Sequence, residues 1–322
     1  MSRALPVIYQ VLRRVGEGLV TLLVASVLIF GAMYLAPGSI VSTLLGGPEG
    51  VNEETIRALT EAYHLDDPFF VQYWYWLEGV LHGSFGRSYV YGQPVVNMLA
   101  SRMDTTGLLL VLSYAVIIGV GVGLGILSAT RRGRVDRAIL VGTTLGSAIP
   151  QFVVALVLIG IFGVGLGWFP VSGTGSDFGD RLYHMVLPTI AVASVSLAVI
   201  TRVTRQSMMD VFRQDHVEAA RVRGLHGGTL VRRHVLRNAL GPVMTMSGLI
   251  LAGMLGGSVL VETVFGLDGV GSLLVDAINN NDFPVVQAVL LLMVGTYVVV
   301  TMVMDLLHPL IDPRAARKRG LQ

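Results

Sequence analysis

Asp215 to Arg237, reading DHVEAARVRGLHGGTLVRRHVLR, is an arginine-rich segment between two long apolar runs, and how it folds decides what those runs are for. Asp215 is placed to accept the first unpaired backbone N–H groups of a helix. Glu218, three residues on, is placed to reach back to the cap residue, the reciprocal arrangement of a capping box. Gly224 supplies a residue at ease in the left-handed conformation that ends helices. The spacing predicts a helix over His216–Arg223, eight residues and about 12 Å long at ~1.5 Å per residue. Isolated helices shorter than about 12 residues are marginal in water, so this one is expected to need a partner to pack against.

Composition says what surrounds it. Of 322 residues, 53% are hydrophobic and only 14% charged, where a soluble chain carries about 25% charged residues, so the class is integral membrane protein. The absence of cysteine excludes a disulfide framework, cysteine-ligated metal sites and a thiol nucleophile.

A hydrocarbon core of ~30 Å takes about 20 apolar helical residues to cross. Six runs meet that need: Gly18–Leu35, Leu108–Leu127, Ile139–Gly165, Met185–Ile200, Pro242–Val261 and Val285–Leu307. The fourth is short, and with neither Gly nor Pro in Thr201–Phe212 it is expected to continue as helix out of the membrane. The first run exceeds the usual 7 to 15 apolar residues of a signal core, roughly, and no small-residue cleavage site precedes Pro37, so it reads as a retained helix.

Charge placement orients the spans. Of the 23 Lys and Arg residues, three precede the first span, four lie between the second and third, eight between the fourth and fifth, and four in the tail. The alternate side holds only Arg57, Arg87, Arg102 and Arg181. By the positive-inside rule both termini are cytoplasmic, and Asp215 to Arg237 is cytosolic. The domain reading is then 1–36, N-terminus and first span; 37–107, an acidic extracytoplasmic insertion; 108–311, five further spans with a cytoplasmic loop at 213–237; and 312–322, a basic tail. Within the insertion, Asn52–His64 reads as a surface helix and Phe69–Leu81 (FFVQYWYWLEGVL) as an aromatic segment suited to the membrane interface.

Glycine pairs at four-residue spacing, Gly119/Gly123, Gly121/Gly125, Gly142/Gly146 and Gly253/Gly257, let helix backbones approach closely. Pro150 and Pro188 mark possible kinks, tolerated where neighbours satisfy the released carbonyls.

No G-x-x-x-x-G-K-[ST] motif occurs, so nucleotide energy has to come from another subunit. Glu218-Ala219-Ala220, with Gly224 six residues after the glutamate and Leu236 beyond it, resembles the EAA loop of permease subunits of ABC importers. In that family the loop forms a short coupling helix seated in a groove of a cytoplasmic ATPase subunit. The resemblance implies that role for Asp215, Glu218, Ala219, Ala220, Arg221, Gly224 and Arg237.

The general pattern closes in a leucine-proline pair, whereas here Leu236 is followed by Arg237 and proline comes only at Pro242. That variant is similar to the dipeptide/oligopeptide/nickel branch. So are the motifs His64-Leu65-Asp66-Asp67-Pro68, Gly83-Ser84-Phe85-Gly86-Arg87-Ser88, Val259-Leu260-Val261-Glu262-Thr263-Val264-Phe265, Asp282-Phe283-Pro284-Val285-Val286-Gln287 and Asp312-Pro313-Arg314. Two positions depart from the pattern: Ser39-Ile40 in place of Asp-Pro, and Asp268 in place of a proline.

The resemblance implies an all-α polytopic permease of six transmembrane helices, similar to type I ABC importers, in a bacterial or archaeal plasma membrane. It implies a homologous but different second permease, two ATPase subunits carrying ATP and Mg, and an extracytoplasmic substrate-binding protein. The chain itself is expected to hold no cofactor and to catalyse nothing.

Outside the loop, Glu262, Asp268, Asp276 and Asp282 cluster near the outer side and are expected to face no Lys or Arg. They read as an acidic rim that receives cationic peptide termini or docks a binding protein, with capping or pairing against a neighbouring helix as the alternative for Glu262.

Rival classes fare worse. Ser258 and His308, which could pair as nucleophile and base, lie at opposite ends of their spans, roughly 30 Å apart by helical rise. An ion-coupled carrier is expected to bury ionisable groups at mid-depth, and these spans hold almost none. Nickel is the alternative cargo, but the seven histidines are scattered on both sides, which favours a peptide.

Overall fold

The long helix that carries the arginine-rich loop shows how the apolar runs become spans. Val186–Phe212 is one uninterrupted helix, running on through the polar residues after Ile200 as the lack of Gly and Pro requires. The computed structural model describes residues 4–34, 66–131 and 133–311. Asn52–His64, Ser39-Ile40, the Asp312 motif and the basic tail lie outside the described residues.

In chain order the helices are α1 (Ala4–Tyr34), α2 (Phe69–Leu81), α3 (Val95–Thr130), α4 (Arg134–Ala148), α5 (Gln151–Gly165), α6 (Phe178–His184), α7 (Val186–Phe212), α8 (Asp215–Val222), α9 (Gly227–Val264), α10 (Val270–Asn279) and α11 (Phe283–Ile311). Among the described residues no strand forms, and one isolated bridge joins Arg87 to Pro94. Among the described residues five helices, α1, α3, α7, α9 and α11, are long and apolar enough to cross a membrane, and α4 with α5 makes a sixth span if taken together.

That sixth span, over the apolar run Ile139–Gly165, breaks at the kink site that Pro150 marks in the sequence. α4 and α5 meet at a bend of 99°. Pro150 forces it. The residue before a proline is driven out of the helical region, and Ile149 sits extended at φ −95°, ψ 129°. Pro150 then opens α5 as its cap, where its missing N–H costs nothing. Pro188 makes no such break because it stands in the first turn of α7. α5 ends in a π-wound stretch, Ile159–Gly165, and α9 contains another, Val231–Leu236, before it becomes regular at Arg237.

The described residues fall into two compact units, one within Met1–Thr106 and Asp268–Val298, the other within Gly107–Leu267 and Val299–Gln322. In the first, α10 places Val270, Leu273, Leu274 and Ala277 on one face. These pack with Val95, Met98 and Leu99 of α3 and Val285, Ala288 and Val289 of α11. The aromatic segment Phe69–Leu81 forms the helix α2. Its Phe69, Tyr73 and Trp76 surround Phe30 of α1 at ring separations of 5.5 to 5.6 Å, and Tyr73 shares a 2.8 Å hydrogen bond with Ser26. Phe70 and Trp74 face outward.

In the second unit the core joins Leu109 and Ile117 of α3, Ala155 of α5, Leu187 and Ile200 of α7, and Met254 and Val261 of α9. Only one of the predicted glycine pairs is a close contact within this chain. A Cβ on Gly125 would lie 2.5 Å from Thr204 Cβ, and one on Gly121 3.0 Å from Ile200, so α3 and α7 touch backbone to side chain there. Gly119, Gly123, Gly142, Gly146 and Gly253 have open space in front of them.

Candidate functional site

α8 forms where the sequence places a helix, but it starts one residue earlier than expected. Gln214 is the cap residue, in extended conformation, and no side chain caps the helix. The capping box of Asp215 and Glu218 is therefore not made. With Asp215 as the first helical residue, both carboxylates lie within the first turn, where the positive end of the helix dipole favours them. The other end agrees with the expectation. Gly224 stands at φ +86°, its N–H donates to Arg221 O at 2.9 Å, and Leu225 N–H donates to Ala220 O at 3.1 Å. That pair of bonds is the Schellman ending, which closes two carbonyls the helix leaves open.

The short helix finds its supporting surface on its own subunit. Val217 and Ala220, three apart and so on one face, are buried in a cluster with Ala129 of α3, Met208 and Val211 of α7, and Leu230, Val235 and Ala239 of α9. Ala220 thus faces inward, whereas the sequence reading treats it with Ala219 as a contact for another protein. Asp215, Glu218, Ala219 and Val222 make the opposite, exposed face, with Val222 85% accessible. Arg221 flanks it with its guanidinium 5.8 Å from the centroid of the Phe212 ring. Arg237 is exposed on α9 just past the π-wound turn, and its neighbours Val235 and Ala239 reach the cluster under α8.

The four outer acids do not make a uniform rim. Glu262 is fully buried on α9 and accepts a 2.8 Å hydrogen bond from Ser258 Oγ, one turn away. Asp282 is buried as well, accepting from Ser88 Oγ and, at 3.0 Å, from the backbone N–H of Tyr89. Asp268 is exposed, 3.7 Å from Arg102, which corrects the expectation that no basic residue faces these acids. Arg102 lies 166 positions earlier in the chain, so local charge counting misses it. Asp276 is exposed on α10.

A further polar constellation lies next to the α8 cluster. Arg205 of α7 clasps Asp136 of α4 with Nε to Oδ1 at 2.7 Å and Nη2 to Oδ2 at 2.8 Å. Ser128 of α3 donates to the same carboxylate. The sequence reading counted Arg205 only as one of eight cytoplasmic arginines. The available signal was Asp136, the single acid between Thr130 and Ile149 amid four arginines.

Residues 121–317 match the family described as binding-protein-dependent transport system inner membrane component, and residues 7–110 match its N-terminal companion. The chain belongs to this family of ABC transporter permeases. The permease is 37% identical to a probable peptide ABC transporter permease protein, y4tP, of Sinorhizobium fredii, over 94% of this chain and 98% of that one. It is 36% identical to the oligopeptide transport system permease protein AppB of Bacillus subtilis, over 94% and 98% respectively. It is also 36% identical to the glutathione transport system permease protein GsiC of Escherichia coli strain K12, over 91% and 94%. A chain of the inward-facing MetNI methionine ABC transporter superposes with a TM-score of 0.55 at 17% identity, covering 67% of the permease and 96% of that chain. At that identity the likeness speaks for the fold, which is that of an ABC importer permease.

Proposed function

We propose that this permease lines half of the translocation pathway for di- or oligopeptides in an ATP-driven importer, and that the exposed face of α8 seats in a cytoplasmic ATPase subunit. The observation that carries the reading is the two-sidedness of α8: Val217 and Ala220 fasten it to its own bundle while Asp215, Glu218, Ala219 and Val222 remain outward. A helix anchored on one side and open on the other can pass a push from outside into the membrane helices. ATP and Mg reside on the ATPase subunits, a second, homologous permease completes the pathway, and an extracytoplasmic binding protein delivers cargo. Both termini and α8 lie on the cytoplasmic side, as the arginine distribution argues. Peptide is favoured over nickel by what the relatives are named for.

The chain has no cysteine, so a single introduced thiol is unique on this subunit. V222C is expected to cross-link to the ATPase subunit in the reconstituted importer and V217C to remain silent. ATP-dependent uptake of labelled peptide is expected in the same vesicles. Uptake driven by an ion gradient without the ATPase, or exclusive labelling of V222C from outside, would overturn the reading.

A further inference from the structure

Asp136 stands at the beginning of α4, the first half of the bent span, and is held by groups from two other helices. The clasp from Arg205 is bidentate, with both N–H···O distances below 3 Å, the strongest geometry available to a guanidinium and a carboxylate. Both side chains are mostly shielded, Arg205 24% and Asp136 17% exposed, so the pair keeps strength that a fully solvated pair loses.

Its position matters more than its strength. Arg205 precedes Met208 by three residues and Val211 by six on α7, and those two residues pack against Val217 and Ala220 of α8. Ser128 adjoins Ala129, which belongs to the same cluster. One turn further along, the Gly125–Thr204 contact holds α3 and α7 together as one piece. α4 packs along α7 with Thr143 buried, and the bend at Pro150 turns it away from α5. The carboxylate of Asp136 is where α4 is hydrogen-bonded to both of the helices on which α8 rests.

We infer that the Asp136–Arg205 pair, steadied by Ser128, is the positioning joint that carries displacement of α8 into α4 and so into the bent span. The inference rests on the coupling role proposed for α8. A load on the outer face of α8 reaches Met208 and Val211 through Val217 and Ala220, and α7 then draws α4 with it through the clasp. Arg205 and Asp136 touch no substrate in this account and act through the helices they join. Neutralising either leaves α8 docked and loosens its hold on α4. Arg205→Lys keeps the charge and loses the planar fork, so it transmits in part.

The assembled importer in lipid nanodiscs provides the test, with spin labels on paired cysteines. V222C with V120C follows α8 against α3, and L145C with V120C follows α4 against α3; all three positions are exposed. In the wild-type background both distances are expected to change when ATP is added. In D136N the α8 distance still changes, the α4 change falls to less than half, and peptide uptake per ATP hydrolysed drops about tenfold. R205K lies between, and the exchange D136R with R205D recovers part of the uptake. Assembly and thermal melting of each variant complex are read alongside. Full α4 movement and normal uptake per ATP in D136N would overturn the joint while leaving α8 as the coupling helix. So would losses that track melting temperature alone. If the α8 distance ignores ATP in the wild-type background, the coupling reading fails and the joint with it.

Discussion

Ser88 and Asp282 stand 194 residues apart in sequence and share a buried hydrogen bond, Ser88 Oγ donating to the carboxylate while the Tyr89 N–H donates to its other oxygen. The bond fastens the loop after α2 to the turn before α11, and it joins two of the motifs that carry the family resemblance, Gly83–Ser88 and Asp282–Gln287. As an acceptor for a hydroxyl and a backbone amide, Asp282 is structural. Asp282→Ala takes the acceptor from the buried Ser88 hydroxyl and from the half-buried Tyr89 N–H, and roughly 1–3 kcal/mol is expected to be lost. The check is the melting temperature of the purified permease. Asp276→Asn, at an exposed position, is the control and should melt as wild type.

Helix contact through glycine gives a paired comparison. Gly125→Ala brings a Cβ to 2.5 Å from Thr204 Cβ and 2.8 Å from Thr201 O, so α3 and α7 have to separate. Overpacking of this kind costs about 1–3 kcal/mol. Gly123→Ala meets nothing within 4 Å in this chain and is expected to leave the stability of the single subunit unchanged. Denaturation of the isolated permease in detergent distinguishes the two.

Local pattern made much of the fold legible. The apolar runs, the charge asymmetry and the absence of helix breakers after Ile200 each report on a few neighbouring residues, and α1, α2, α3, α7, α9 and α11 follow from them. Pro150 marks a kink site, yet the size of the bend depends on what α4 and α5 each pack against, which no window around the proline contains. The cap of α8 failed for a related reason. Asp215 and Gln214 compete for one position, and burial of Val217 and Ala220 sets the helix phase more firmly than a side-chain hydrogen bond does. Arg205–Asp136 joins two helices and Arg102–Asp268 a helix to a loop, each across a long stretch of chain, and charge counts by loop cannot show them.

The turn leading into α6 carries a pH dependence. Asp180 takes hydrogen bonds from the Ser176 N–H at 2.8 Å and from Ser176 Oγ, with His184 Nδ1 at 3.2 Å. The Ser176 backbone N–H, and after it the His184 charge, hold the Asp180 carboxyl below its ordinary value of 3.8. A depressed folded-state value means the stabilisation is complete above the unfolded value and lost as pH falls through the folded one. The turn is thus expected to keep its order at neutral pH and to loosen only below about pH 4. Amide exchange across Ser176–His184 measures this, and Asp180→Asn should raise exchange at pH 7 and flatten its acid dependence.

The two alanines of α8 separate packing from coupling. Ala220 is 4% exposed, among Met208, Val217 and Val235, so Ala220→Asp buries an unpaired charge and is expected to undock the helix and lower the melting temperature. Ala219 is exposed on the opposite side, so Ala219→Asp should leave folding intact and weaken seating in the ATPase subunit, lowering uptake while the permease melts normally. Gly224→Pro attacks the helix end instead. Proline is fixed near φ −65°, cannot reach the observed +86°, and removes the N–H that donates to Arg221 O. α8 then loses its C-terminal closure with the membrane helices untouched. Peptide uptake and ATP hydrolysis measured together in proteoliposomes decide the matter: hydrolysis without uptake in Ala219→Asp and Gly224→Pro is the expected result. Normal transport and normal ATPase binding in both would remove α8 from the coupling path.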